Sequence, residues 1–413
     1  MRTHIVNLLR WSQKYTKTDM TYLAKGGTWV LFAQGLVFLL SFLLIWVFAN
    51  LLSPELYGQY KFLTTALTLL AITTLPGMNT AIVRAVAKGN SGIIPKALRT
   101  RVRFGLIGTA FAFILASYYF IQDNHTLGWL FILTALFVPF YQSYAIAPFY
   151  HNGRKDYRNY TTSAVVRRAV IVLSTIAAII ISKNIFVILA AYLVSTAVAN
   201  FAVYIYTIKR FPLSDSEDEE TIPYGKKLSL MTAISTISGH VDKIALWYLA
   251  GSAQVAIYAM VIALPNEIRS AFANIGILAL PKMANRGKAE LRESMLRKLS
   301  IYFLASIPVV LAYVFFSSYL FNLFLPQYAE YVHYSQIASL FILTTPSVLL
   351  IQYFHATLNA RALYINQFIL PILVIILFFI LIPIFGILGA IFALLGKQMF
   401  GFLILLFLFI KDW

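Results

Sequence analysis

Apolar runs long enough to cross a bilayer as helix, about 17–25 residues each, recur along the chain with little between them. They fall near 27–49, 61–83, 104–121, 127–149, 164–182 and 184–207, and again near 227–249, 255–280, 299–324, 336–359, 366–384 and 386–410. The pattern predicts an all-α integral membrane protein of twelve transmembrane helices in two sets of six. The pairs at 164–207 and 366–410 are separated by so few polar residues that each reads as a helical hairpin. Polar breaks then divide the chain into a segment 1–25, a six-helix bundle 26–210, a linker 211–225 and a second six-helix bundle 226–413.

The two halves resemble each other. After the first apolar run the chain reads LLSPELYGQY (Leu51 to Tyr60), and after the seventh LAGSAQVAIY (Leu249 to Tyr258). Leu51 and Leu249, Ser53 and Gly251, Gly58 and Ala256, and Tyr60 and Tyr258 stand at one constant offset. Six helices per half make the repeat parallel, with a pseudo-two-fold axis along the membrane normal. Secondary transporters use that arrangement and bind substrate between the repeats.

Composition agrees with the pattern. The chain has 413 residues, 60% hydrophobic and 12% charged, where soluble domains average roughly 25% charged. The absence of cysteine excludes disulfides and thiolate metal sites. A formal charge of +18 points in a soluble protein to nucleic acid; here the positive-inside rule accounts for it. Lys and Arg gather in the N-terminal segment and in alternate loops, such as those around Arg84–Arg103, Arg154–Arg168 and Lys282–Lys298, which places both termini in the cytoplasm. The opposite loops (LSPELYGQ, QDNHT, SKN, AGSAQ, LPQYAEYVHYSQ, PIFG) are too small for an outer domain. No cleavable signal is expected, because the first apolar run exceeds a signal's ~7–15 residues. Ile5, Leu8, Leu9 and Trp11 beside Arg2, Arg10 and Lys14 fit an interfacial helix or a frayed tail. The acidic run SDSEDEE (Ser214 to Glu220) reads as a solvated linker.

No Walker A motif is present, and the six histidines show no metal-ligand spacing, so neither catalytic residues nor a metal site nor a bound cofactor is expected. What stands out is KKLSLMTAISTISGHVDKIALWYLAGSAQVAIYAMVIALPNEIR, which holds Asp242, Lys243, Glu267 and Arg269 inside apolar spans. Ionisable groups there are functional-site candidates by their insertion cost. Arg269, Lys243, Lys397, Arg84 and Lys25 form a cationic set suited to an anionic head group. Lys25 and Arg84 also suit interfacial snorkelling, as does Lys397. Asp242 and Glu267 are the candidates for ion coupling. Adjacent Asp242 and Lys243 sit about 100° apart on a helix, and Glu267 and Arg269 about 200°, so partners are expected from other helices or the cavity. Pro265 is expected to bend its helix beside Glu267. Gly26, Gly27, Gly35 and Ser41 read as close helix packing, and Trp46, Trp129 and Trp247 as an interfacial belt.

LLSPELYGQYKFLTTALTLLAITTLPGMNTAIVRAVAKG resembles the start of polysaccharide flippases of the multidrug/oligosaccharidyl-lipid/polysaccharide (MOP) exporter superfamily. Pro54, Glu55, Gly58, Tyr60, Gly77 and Arg84 hold the places of the pattern. HVDKIALWYLAGSAQVAIY is similar to the second-half signature, with Ala256 where Gly is common. The resemblance implies a V-shaped, MATE-like transporter rather than an enzyme. It implies a flippase for a polyprenyl-pyrophosphate-linked oligosaccharide in the bacterial inner membrane, serving O-antigen, capsule or exopolysaccharide assembly. H+ or Na+ would drive it, with membrane lipids, a polymerase and chain-length machinery as partners. The alternative within the superfamily is a multidrug or cation antiporter. Acids before residue 210 lie only at loops or termini (Asp19, Glu55, Asp123, Asp156), which disfavours that alternative.

Overall fold

A computed structural model describes residues 20–277, 288–357 and 359–411; the expected interfacial segment around Ile5–Trp11 and the loop cations Lys282 and Arg286 lie outside them. Among the described residues the regular structure is entirely helical. In order the helices are α1 Met20–Leu51, α2 Pro54–Leu70, α3 Met78–Ala87, α4 Ile94–Ile121, α5 His125–Tyr141 and α6 Ala147–Gly153. Next come α7 Tyr157–Ile181, α8 Ile185–Arg210, α9 Thr221–Ser238, α10 Val241–Ala250 and α11 Ser252–Ile277. The last are α12 Lys288–Phe324, α13 Val332–Ser339, α14 Ser347–Ala356, α15 Ala360–Tyr364, α16 Leu370–Phe385 and α17 Ile387–Lys411. Helix coincides with every expected apolar segment, but fewer qualify as spans. Among the described residues eight helices are long and apolar enough to cross a membrane, or nine if Pro54–Thr74 with Met78–Ala87 counts as one broken span. The multi-pass membrane character stands; the count of twelve is not reached by length and apolarity. Breaks at Leu75–Gly77, Gln142–Ile146 and Gly239–His240 account for three of the four expected spans that do not qualify, and α11 is the fourth.

The described chain forms two compact units, one of the residues up to Leu44 with Leu70–Leu230, the other of Ile45–Leu69 with those from Met231 on. In the first, α4 presents Gly105, Gly108, Ala112 and Ala116 as a buried stripe. A Cβ on Gly105 would press on Pro139 Cα at 2.7 Å, and one on Gly108 on the Leu70 carbonyl at 2.6 Å. Small residues let helix backbones approach closely where lipid supplies no hydrophobic drive. A cluster of Leu75, Met78, Ile82, Ile94, Ile146 and Tyr150 fills the end of this unit beside α3 and α6.

Arg101 departs from its place among the loop cations. It is fully buried in α4, where Nε donates to Thr74 O at 3.1 Å, Nη1 to Asn79 Oδ1 at 2.8 Å and Nη2 to Gln142 O at 2.7 Å. Each acceptor lies at a helix break. Leu75, next to Thr74, takes φ 58°, a left-handed conformation rare for a branched residue. Carbonyls freed at a break need donors when buried, and one guanidinium serves two breaks at once. The linker is likewise more structured than a solvated run. Ser91 N donates to Ser214 Oγ at 2.8 Å, Ser214 N to Ser91 Oγ at 2.7 Å, and Lys96 pairs with Glu217 at 3.4 Å.

In the second unit the two repeat motifs meet. A Cβ on Gly58 would overlap the Ser252 carbonyl oxygen, so the first motif's glycine admits the second motif's turn. Beside this contact Phe62 stacks on Trp247 with centroids 4.2 Å apart; Trp247 therefore serves packing, whereas Trp46 and Trp129 are exposed as belt residues require. A Cβ on Gly35 would meet nothing within 4 Å, so its expected close-packing role is not realised; the side-chain surroundings of Gly26 and Gly27 lie outside the described set. Helix α11 runs on through Pro265 without interruption.

Candidate functional site

The site grows from the break between α9 and α10. Thr236 and Ser238 hydroxyls bond back to Thr232 O (2.9 Å) and Ser235 O (3.2 Å), competing with the helical ladder, and Gly239 follows. The helix stops at Ser238 and restarts at Val241, which places Asp242 in a first turn, where the helix dipole favours a carboxylate. Broken helices of this kind line substrate and ion sites in membrane transporters.

Asp242 is 3% exposed. Its Oδ1 accepts the Lys243 backbone N–H at 2.8 Å, and Lys243 Nζ stands 3.1 and 3.0 Å from the two oxygens. Tyr258 OH donates to Oδ2 at 2.8 Å. The expectation that partners come from other helices or the cavity is thus corrected for Asp242 and Lys243, which pair with each other. At a first turn the short Asp side chain folds over the next backbone N–H, and the flexible Lys stem closes the remaining angle. Tyr258, which is fully buried, supplies the partner from α11. Sequence reading missed it as a site residue, although the second-half motif contains both ends of the bond, the Asp and the Tyr.

From α17, Lys397 Nζ donates to Ser238 Oγ at 3.1 Å, directly at the break. Arg269 and Asp242 are the charges that act on Lys397. Arg269 and Glu267 are half-buried on α11, and among the described residues neither Arg269 nor Lys397 forms an ion pair. The second unit thus gathers Asp242, Lys243, Arg269 and Lys397 in one neighbourhood, with Glu267 a half-turn from Arg269. Asp242 pairs with Lys243, so three cations share the neighbourhood with two carboxylates, Asp242 and Glu267. Such a neighbourhood can hold an anion, and it can exchange Lys243 for another cation at Asp242.

The remaining candidates lie elsewhere. Arg84, in the other unit, is exposed in the last turn of α3 with its guanidinium 5.0 Å over the Tyr224 ring, a cation–π contact of ~0.5–1 kcal/mol when exposed. Lys25 lies in α1, and its side chain falls outside the described residues. No group of three potential metal ligands occurs among the described residues.

Residues 23–285 match the family model of polysaccharide biosynthesis proteins, a stretch that contains every candidate named above except Lys397. No curated protein matches the chain in sequence. In structure it is similar to lipid II flippase MurJ in an inward closed conformation, with TM-score 0.69 and 18% identity over 93% of this chain and 87% of that one. It is similar also to an inward-facing multidrug resistance MATE family transporter of the MOP superfamily, with TM-score 0.66 and 16% identity over 92% and 95%. A third likeness is to a MOP superfamily transporter from Pyrococcus furiosus, with TM-score 0.57 and 15% identity over 95% and 94%. These likenesses establish the fold, and the family match extends over most of the length. The chain belongs to the polysaccharide biosynthesis protein family and has the fold of the MOP exporter superfamily.

Proposed function

We propose that this protein is a flippase that carries a polyprenyl-pyrophosphate-linked oligosaccharide across the bacterial inner membrane, for O-antigen, capsule or exopolysaccharide assembly. The observation that carries the reading is the excess of cations over carboxylates at the α9–α10 break, where Arg269 and Lys397 stand without an ion pair among the described residues. A pyrophosphate brings about two negative charges into hydrocarbon, and fixed guanidinium and ammonium groups lower that barrier. A multidrug or cation antiporter would need the opposite balance at its binding site. Arg269 binds the pyrophosphate, with Lys243, Lys397, Arg84 and Lys25 as helpers at other stages. Asp242 and Glu267 provide coupling: a proton or Na+ at Asp242 releases Lys243 to the substrate. A polymerase and chain-length machinery would receive the flipped unit, with both termini of the chain in the cytoplasm.

The test is Arg269→Ala, with Arg269→Lys and Arg269→Ala/Glu267→Ala beside it. Losing a buried charge-assisted contact costs about 2–5 kcal/mol, and Lys lacks the fork that would restore it. Arg269→Ala should abolish surface polysaccharide and leave lipid-linked units in the cytoplasmic leaflet, with Arg269→Lys partly active. Restored transport in the double variant would show that the two residues only balance each other's charge.

A further inference from the structure

Helix α7 carries Arg167 and Arg168 side by side within the span Tyr157–Ile181. They stand about 15 Å from its start, at ~1.5 Å per residue, well inside the helix instead of in the loop before it. Val166, Val170 and Leu173 mark the exposed face of this helix. The arginines lie about 100° and 200° around from Val166, and both are half-buried. They are therefore not on the lipid-facing stripe.

Their surroundings among the described residues are polar and without an ion-pairing carboxylate. Arg168 Nη2 donates to Ser41 Oγ at 2.8 Å, and that hydroxyl in turn donates to Val37 O at 2.8 Å, which anchors the guanidinium to α1. Tyr141 and Tyr160 act on Arg167 from α5 and from two turns back on α7. Tyr141 OH pairs with Tyr192 OH at 2.8 Å. The Nε atoms of both arginines are buried with no hydrogen-bond partner among the described residues. No carboxylate there forms an ion pair with either arginine. Arg101 in the same unit is the contrast, because all of its nitrogens reach acceptors. A cation inside a span with no ion-pair partner among the described residues calls for an anion.

We infer that Arg167 and Arg168 form a second binding subsite, in the unit that does not hold Arg269, for the phosphates of a lipid diphosphate. The identity of the anion as a lipid diphosphate rests on the function proposed above; the cationic subsite itself rests on the geometry of α7. Two half-buried arginines side by side carry forked donors that match phosphate oxygens, and Ser41 holds one of them in place.

The experiment measures binding to the purified full-length chain in detergent of three probes: geranylgeranyl diphosphate, geranylgeraniol and inorganic pyrophosphate. The wild type should prefer the diphosphate lipid to both others. Arg167→Gln/Arg168→Gln should weaken the diphosphate lipid at least tenfold and leave geranylgeraniol unchanged. Arg167→Lys, which keeps the charge and the helix, should fall between them; it decides the matter if the double variant does not fold. Unchanged diphosphate binding in Arg167→Lys and in the folded double variant would overturn the inference, even with Arg269→Ala impaired. A wild type that treats diphosphate and alcohol alike would instead overturn the proposed function. Inorganic pyrophosphate binding as tightly as the lipid would show a free-anion site and sink the lipid assignment.

Discussion

His151 shows how burial and pairing compete at a single side chain. It lies in the short helix α6, outside the apolar spans, 1% exposed, with Nδ1 3.4 Å from Asp156 Oδ2 and Nε2 3.4 Å from Thr207 Oγ1. Burial holds its imidazole below the ordinary histidine value and Arg154 pushes the same way, while Asp156 pulls it up without overcoming them. Burial would raise the Asp156 carboxyl, but hydrogen bonds from Asn159 and the attraction of His151 bring it below its ordinary value. Both groups therefore bind fewer protons folded than unfolded, and stability falls as pH falls. The loss begins as pH drops through the ordinary histidine value near 6.5 and deepens through the carboxylate range. The melting temperature in detergent should thus decline from pH 7.5 to pH 5. His151→Gln should flatten the upper part of that decline; an equally steep curve in the variant would show that His151 is not its source. Asp242 is likewise a buried carboxylate with partners, a Lys and a Tyr.

At the scale of elements, the breaks in the helices do more than the helices themselves. The α9–α10 break assembles the cationic neighbourhood, and the breaks at Thr74–Gly77 and after Tyr141 are joined by Arg101. Gly77 N donates to Ser229 Oγ at 3.0 Å and its missing Cβ leaves room for the Ser229 backbone, which seats the start of α3 against α9. Arg101→Ala would strand three acceptors: the buried Thr74 carbonyl, worth about 1–3 kcal/mol when unsatisfied, and the part-buried Asn79 Oδ1 and Gln142 O, each worth less. The melting temperature in detergent should then drop by about 5 °C or more, at roughly 2–4 °C per kcal/mol for a domain of this size. Arg101→Lys should recover only part, because an ammonium reaches as a point charge. A melting temperature unchanged in Arg101→Ala would show that the two breaks hold without the clamp.

For the whole molecule the open matter is orientation. The absence of cysteine makes single introduced cysteines clean reporters of sidedness. The structure selects positions better than the loops alone: Ser91 is buried and bonded to Ser214, and Ser252 packs on Gly58, so neither is a good probe. Lys88 and Glu219, and on the opposite loops Asp123, Lys183 and Gln327, are exposed. By the positive-inside rule, cysteines at the first pair should react with an impermeant maleimide only from the cytoplasm, and at the other three only from outside. Reaction of either set from the other side would reverse the orientation; mixed results within a set would break the helix map.

The sequence alone determined the class, the location of the helices, the basic asymmetry of the loops and the stretch where the charges cluster. These are properties of single segments: in hydrocarbon a chain must satisfy its backbone locally, so apolar length is enough to reveal a helix. It also placed Gly58 and Tyr258 in paired motifs, without showing that one glycine receives the other motif's turn or that the tyrosine holds Asp242. Partnerships were decided only in the tertiary structure. Lys397 and Ser238 are 159 residues apart, and apolar length cannot tell a helix from a helix broken by one glycine and a few hydroxyls. Nor do letters distinguish Gly35, with open space beside it, from Gly58 and Gly77, where a methyl group would meet backbone. Arg101, Arg167 and Arg168 read as loop cations because a basic residue near the end of an apolar run looks the same whether it faces water or the interior of its bundle. Which way each one turned was set by the neighbouring helices, whose carbonyls and hydroxyls lie far along the chain.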